Sequence, residues 1–237
     1  MILCLDAGNT RLKYGLFDGS GWHGQGALRH DALDDLRAQL PARPARIVAC
    51  NVAGDAVRQR IEALSASLGL APDWLTSSAA ACGVRNGYDT PQQLGADRWA
   101  ALIGARALHA GACLVVMAGT ATTIDVLDDT GLFRGGLILP GLSLMRTALA
   151  RNTADLPHAA GHYRALPTNT DDAIVSGALH ATLGAIARMR TDAALCVISG
   201  GAAGELAPHL GLPCRLVDNL VLEGLARYSG VGPNSIN

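Results

Sequence analysis

Apolar runs of strand length alternate along this chain with longer segments whose apolar positions recur every three or four residues, and turn residues separate the two kinds. The run Leu3 to Leu5 reaches Asp6 and the turn-rich Ala7-Gly8-Asn9-Thr10, after which Leu12 to Phe17 is again β-prone. A degraded copy returns 111 positions further on, counted from Asp6 to Met117: Leu114 to Ala118, then Gly119-Thr120-Ala121, then Thr122 to Leu127. Each copy predicts a strand-turn-strand hairpin. Further strands are predicted over Gly24 to Leu28, Arg46 to Asn51, Trp74 to Thr76, Leu132 to Leu139 and Leu195 to Ile198. Helices are predicted over Leu33 to Leu40, stopped by Pro41, and over Asp55 to Leu68, with Val57, Ile61, Leu64 and Leu68 on one face and Gly69 as the stop. Cys82 to Gly95 is polar and turn-rich and leads into a helix from Ala96 to Leu108. Later helices follow Pro140-Gly141 up to Asn152, open at Thr170-Asp171-Asp172, and cover Asn219 to Tyr228, with a looser stretch over Thr153 to Pro167.

Strands interleaved with helices predict an α/β fold, and the repeated hairpin predicts two similar lobes, residues 1–110 and 111–237, with a cleft between them. The hydrophobic share is 49% with only 4% aromatic, which implies a core of Ala, Leu, Val and Ile. Nineteen Lys and Arg against 20 Asp and Glu give a net charge of -1 without a basic run, so nucleic acid is not the expected partner. No apolar stretch is long enough for a bilayer, and the first strand leaves no room for a signal peptide, so a cytoplasmic location and no membrane contact are expected. Six scattered cysteines form no C-x-x-C pair and read as reduced and structural.

Within eight residues the first hairpin offers Asp6, Asn9, Thr10 and Lys13: a carboxylate for hydrated magnesium, amide and hydroxyl donors, and a cation. The same residue types make ordinary capped turns, so one hairpin alone leaves both readings open. The recurrence at Gly119-Thr120 favours two phosphate hairpins that clamp a nucleotide tail. Gly200-Gly201 after a strand suits backbone lying flat on an adenine ring, although strand-to-helix turns often use glycine. Gly95-Ala96-Asp97-Arg98 sets an acid beside a base at a helix N-terminus, with Tyr88 in the preceding loop as an aromatic wall; a simple helix cap with a solvated arginine is the plainer alternative. The seven histidines lack zinc-ligand spacing, and Ser199 lacks the nucleophile-elbow pattern.

Taken in order, Asp6-Ala7-Gly8-Asn9-Thr10 with Lys13, Asn86-Gly87-Tyr88, Gly95 to Arg98, Gly119 to Thr123, Gly135-Gly136 with Pro140-Gly141, Ser199-Gly200-Gly201 and Leu220-Val221-Leu222 resemble the type III pantothenate kinases nearly end to end. That resemblance implies two duplicated ribonuclease H-like lobes of the acetate kinase, sugar kinase, Hsp70 and actin type, and transfer of phosphate from ATP to pantothenate, the entry to coenzyme A. It implies that Asp6, Ala7, Gly8, Asn9, Thr10, Arg11, Leu12, Lys13 and Thr120 contact ATP, with Asp6 holding Mg2+ through water. Tyr88, Gly95, Ala96, Asp97 and Arg98 would then surround pantothenate, with Asp97 as proton acceptor. A homodimer is implied too, in which Thr170 contacts substrate; as a residue, Thr170 also reads as the N-cap of its helix.

The family usually carries an aspartate where this chain has Met117, and that aspartate helps bind a monovalent cation, K+ or NH4+. A thioether cannot replace it. Cation dependence is then either lost or carried by other oxygens; Asp125, nearby, reads as a strand-end carboxylate or a ligand. Two other classes remain in view: a nucleotide-binding transcriptional accessory protein like the Bvg accessory factor, and another small-molecule kinase of the same fold.

Overall fold

The structure is a computed structural model that describes residues 1–230. Its first strands are β1 (Ile2–Ala7), β2 (Leu12–Phe17) and β3 (Trp22–Leu28), followed by a short helix α1 (Leu36–Gln39), β4 (Arg46–Asn51), α2 (Asp55–Ser67) and β5 (Pro72–Trp74). Then come β6 (Ala80–Ala81), β7 (Val84–Asn86), α3 (Ala96–Leu108), β8 (Cys113–Ala118), β9 (Ala121–Leu127) and β10 (Leu132–Pro140). The chain continues through α4 (Leu142–Asn152), α5 (Thr170–Met189), β11 (Leu195–Ser199), α6 (Ala203–Leu206), β12 (Cys214–Leu216) and α7 (Leu220–Tyr228).

Contacts divide the chain into two compact units. In the first, the sheet runs β3-β2-β1-β4-β5, with β1 antiparallel to β2 and parallel to β4. Every residue of β1 is buried, which is why this strand is apolar almost throughout and why its one acid, Asp6, stands out. Leu3, Leu5 and Ala7 pack with Val57, Ile61 and Leu64 of α2. In the second unit, the strands pair in the order β10-β9-β8-β11-β12, with β8 antiparallel to β9 and parallel to β11. Position for position this repeats the first order. Leu114, Val116, Ile124 and Val126 meet Ile174, Val175, Leu179 and Ile186 of α5 in its core.

The expected boundary placed everything after residue 110 in one lobe. Contacts instead assign Gly131–Phe133 and the described residues from 219 onward to the first unit. The physical reason lies in two glycines. A Cβ on Gly224 of α7 would stand 1.8 Å from the Ala100 carbonyl oxygen, and one on Gly104 of α3 would stand 2.6 Å from the Leu220 oxygen. These helices therefore cross backbone to backbone, closer than any other residue pair allows, and α7 buries Leu220, Val221, Leu222 and Leu225.

Three local expectations change. The helix expected over Leu33 to Leu40 is a 3-10 turn, His30–Asp35, kinked at Ala32 and followed by one turn of α1; only Leu33 and Leu36 are buried, too few for a regular amphipathic helix. The strand expected at Trp74 to Thr76 starts two residues earlier, because Pro72–Trp74 pairs with Ile47–Ala49. The polar segment after Cys82 holds a hairpin, β6 to β7, turned by Cys82 and Gly83 at φ 51° and 77°, the left-handed pair that a two-residue connection requires. β7 in turn pairs with Leu132 and Phe133.

Candidate active site

Asp6 sits where β1 meets its two neighbours. Across the ladder it pairs with Lys13 of β2 on one side and Cys50 of β4 on the other. Only 6% of the residue is exposed, and the Cys50 Sγ–H donates to its Oδ1 at 3.6 Å. Burial pushes the Asp6 carboxyl up to about 6; the Lys13 charge and the Cys50 hydrogen bond oppose that rise and the charge of Asp97 adds to it. The influence of Asp97 identifies the two acids as neighbours in one electrostatic environment. A buried carboxylate that Lys13 does not fully compensate is a fitting anchor for a hydrated divalent cation. Beyond it, Asn9, Thr10 and Arg11 are exposed and Gly8 half-buried in the four residues joining the paired Ala7 and Leu12. The side chains of Ala7 and Leu12 point into the core, which leaves only their backbone for a ligand.

Gly95 is the residue before α3, and Asp97 lies in its first turn. The Arg98 N–H donates to Asp97 Oδ1 at 2.8 Å, and a Cβ on Gly95 would stand 2.7 Å from that same oxygen. Glycine thus lets the carboxylate fold back over the helix end, where the exposed N–H groups favour negative charge. Asp97 is neither buried nor fully exposed. Arg98, by contrast, is 5% exposed: its Nη1 donates to the Tyr88 hydroxyl at 2.9 Å, and its guanidinium lies 5.7 Å from the Tyr88 ring centre and 5.8 Å from that of Phe133. The plainer alternative of a solvated arginine does not hold: Arg98 is buried beside two rings that also touch each other, with centres 5.2 Å apart. Asn86 shapes the loop, accepting from the Tyr88 N–H and donating to the Pro91 carbonyl.

In the second unit the repeated hairpin holds Gly119 and Thr120 exposed at its tip. Three backbone amides brace it: Gly119 to Ala121 O, Gly141 to Thr120 O, and Ala202 to Ala118 O, at 3.0, 2.9 and 3.0 Å. A Cβ on Gly141 would come within 2.2 Å of the Gly119 oxygen, and one on Gly200 within 2.4 Å of the Ala118 oxygen, with Gly200 also at φ 107°. Met117 pairs with Thr123, whose Oγ1, like that of Thr122, is buried without a hydrogen-bond partner among the described residues. Asp125 is not a strand-end carboxylate: it is fully buried inside β9, opposite Val115. Thr170 is exposed as the first residue of α5, and the cap it was expected to supply comes from Asn169, whose side chain accepts from the Asp172 N–H at 2.9 Å.

Asp6, Lys13, Tyr88, Asp97 and Arg98 fall in the first unit, Thr120 and Thr170 in the second. Sequence reasoning missed three contributors: Cys50 beside Asp6, Phe133 beneath Tyr88 and Arg98, and His30, whose Nε2 lies 2.9 Å from the Gly8 oxygen. Phe133 alone left a trace, as a large apolar residue at the start of a strand. Among the described residues no three His, Cys, Asp or Glu side chains form a metal-binding group, and no helix is long and apolar enough to cross a membrane.

Comparison with known proteins adds four findings. The family model of type III pantothenate kinases matches residues 2–192. The type III pantothenate kinase of Aromatoleum aromaticum is 55% identical over 233 residues, 95% of this chain and 96% of that protein. Among solved structures, a protein assigned to the Baf family of transcriptional activators, from Campylobacter jejuni, superposes with a TM-score of 0.67 at 21% identity, over 95% of this chain and 96% of that one. A protein assigned as a 2-dehydro-3-deoxygalactonokinase, from Sinorhizobium meliloti, gives 0.65 at 18% identity, over 97% and 98%. At such identities the structures speak for fold alone, the α/β fold of the sugar kinases and actin.

Proposed function

This chain belongs to the type III pantothenate kinase family, which phosphorylates pantothenate with ATP in the first step of coenzyme A synthesis, and we propose how its residues divide that work. Asp97 orients the 4'-hydroxyl of pantothenate and takes its proton as the oxygen bonds to the γ-phosphorus and the bond to ADP breaks. The observation that carries this assignment is the Asp97 carboxylate, folded over the N-terminus of α3 by Gly95 and close enough to raise the Asp6 carboxyl. Asp6 would hold Mg2+, and the cation would supply charge neutralisation on the phosphates. Lys13, Asn9, Thr10 and the backbone from Ala7 to Leu12 hold phosphate oxygens, as does Thr120 of the second hairpin.

Tyr88, Ala96 and Arg98 form the pantothenate side. Arg98 is held by Tyr88 and Phe133 and so presents a fixed cation to the substrate carboxylate, where a lysine would swing. Thr170, relieved of capping duty, is free to contact substrate. A homodimer is supported by Leu137 and Ile138 of β10 and Leu144 and Leu149 of α4, large apolar side chains left exposed; Ile138→Asp is expected to turn a sedimenting dimer into a monomer. The cytoplasm is the compartment that suits an ATP-using kinase whose Cys4 and Cys196 thiols burial holds up near 12.

The deciding experiment is pantothenate-dependent ADP release. Asp97→Asn should bind ATP and pantothenate yet lose turnover on the order of a hundredfold, the usual worth of a positioned base. Near-normal turnover would remove Asp97 from that role.

A further inference from the structure

We propose that His30 is a positioning residue for nucleotide binding: by fixing the Gly8 carbonyl it aims the backbone amide of Asn9 at a phosphate. This rests on the reading of the first hairpin as a phosphate site. His30 lies 22 residues from Gly8 in sequence, at the start of the 3-10 turn His30–Asp35, and its Nε2 sits 2.9 Å from the Gly8 oxygen. A carbonyl can only accept, so Nε2 is the donor in this hydrogen bond. Nδ1 is buried with no partner among the described residues, so the ring makes this one hydrogen bond and spends nothing on another.

The turn that presents His30 is itself held. Arg60 of α2 donates from Nη1 to the His30 carbonyl and from Nη2 to the Asp31 carbonyl at 3.3 Å and to Asp34 Oδ2 at 3.0 Å. A rigid helix thus secures a turn whose imidazole secures the hairpin. The consequence follows from the planar trans peptide: the C=O of Gly8 and the N–H of Asn9 point in opposite directions from one plane. Pinning the oxygen toward His30 therefore turns the Asn9 N–H the other way, and that amide makes no hydrogen bond among the described residues. Oriented amides of this kind are what phosphate oxygens bind. The second hairpin needs no such side chain, because three backbone amides already brace it.

Titration calorimetry with magnesium and a non-hydrolysable ATP analogue tests this on the full-length protein, together with steady-state kinetics. His30→Ala should weaken nucleotide binding and raise KM for ATP by about tenfold, the worth of one positioning hydrogen bond, with KM for pantothenate unchanged. His30→Gln, whose amide can donate to the same carbonyl, should recover most of the affinity. If the alanine variant does not fold, His30→Met keeps the bulk without the donor and carries the same expectation. Unchanged nucleotide affinity in the donor-less variant overturns the inference, and so does an equal rise in both KM values. Failure of the wild type to bind nucleotide would instead remove the phosphate-site reading beneath it.

Discussion

The two hairpins β1-β2 and β8-β9 are copies in topology and opposites in chemistry. Where the first pairs Asp6 with Lys13, the second pairs Met117 with Thr123. The first is joined by four residues and steadied by side chains, His30 on Gly8 and Cys50 on Asp6; the second is one residue shorter and steadied by backbone amides packed against Gly141 and Gly200. An acid facing a base across the ladder marks one copy, and close packing of the turn marks the other. A duplicated fold can thus keep one hairpin topology while one half carries opposite charges across its ladder and the other a close-packed backbone surface.

Breaking the charged copy should have the largest effect. Asp6→Asn is expected to lower turnover on the order of a hundredfold or more, the scale of a deleted electrostatic contact in an active site, and to raise the magnesium concentration needed for half-maximal rate. A variant with ordinary magnesium dependence would place the cation elsewhere. The same substitution should stabilise the metal-free protein at neutral pH. The folded-state carboxyl sits at about 6, above its ordinary 3.8, so between those values the native state holds a proton that the unfolded chain has released, and above them it must bury the ionised form. Stability from this group is therefore present below pH 4 and lost as pH rises through 6, by about 3 kcal/mol at most. Urea unfolding in EDTA at pH 4.5 and pH 7.5 should show wild type losing more stability than Asp6→Asn across that interval, and equal losses would count against a strained Asp6.

Breaking the packed copy should cost less. Gly141→Ala drives a methyl group into the Gly119 and Thr120 carbonyls, and a loss of about 1–3 kcal/mol is expected from the denaturation midpoint, with KM for ATP raised through Thr120. An unchanged midpoint would mean that the turn shifts freely. The smallest effect sharpens the comparison: the wild type should respond little to potassium over sodium, and Met117→Asp, which restores the family's usual acid, should gain potassium activation in an ADP-release assay. Strong potassium activation of the wild type would show that other oxygens serve.

Both hairpins were legible because strand, turn and strand are contiguous, so hydrophobic pattern and glycine fall within one short window. Asp97 was legible for the same reason, as an acid in the first turn of a periodic helix. Their supports were not. His30 reaches Gly8 across 22 residues and Cys50 reaches Asp6 across 44, and such contacts leave no periodicity to read. The β6-β7 hairpin escaped because strands of two and three residues carry no alternation, and Cys82 takes a left-handed turn position that usually signals itself with Gly or Asn. Thr170 and Asn169 are both ordinary caps, and only backbone geometry at Asn169 decides which one serves.

The crossing of α3 and α7 sets an order of events in synthesis. Asp97 rides on a helix whose close partner, α7, lies far downstream in the chain, so a growing chain holds every residue of the first hairpin long before α3 can be packed in full. Chains cut short before residue 219 carry Asp97 on a helix that lacks its backbone-to-backbone partner.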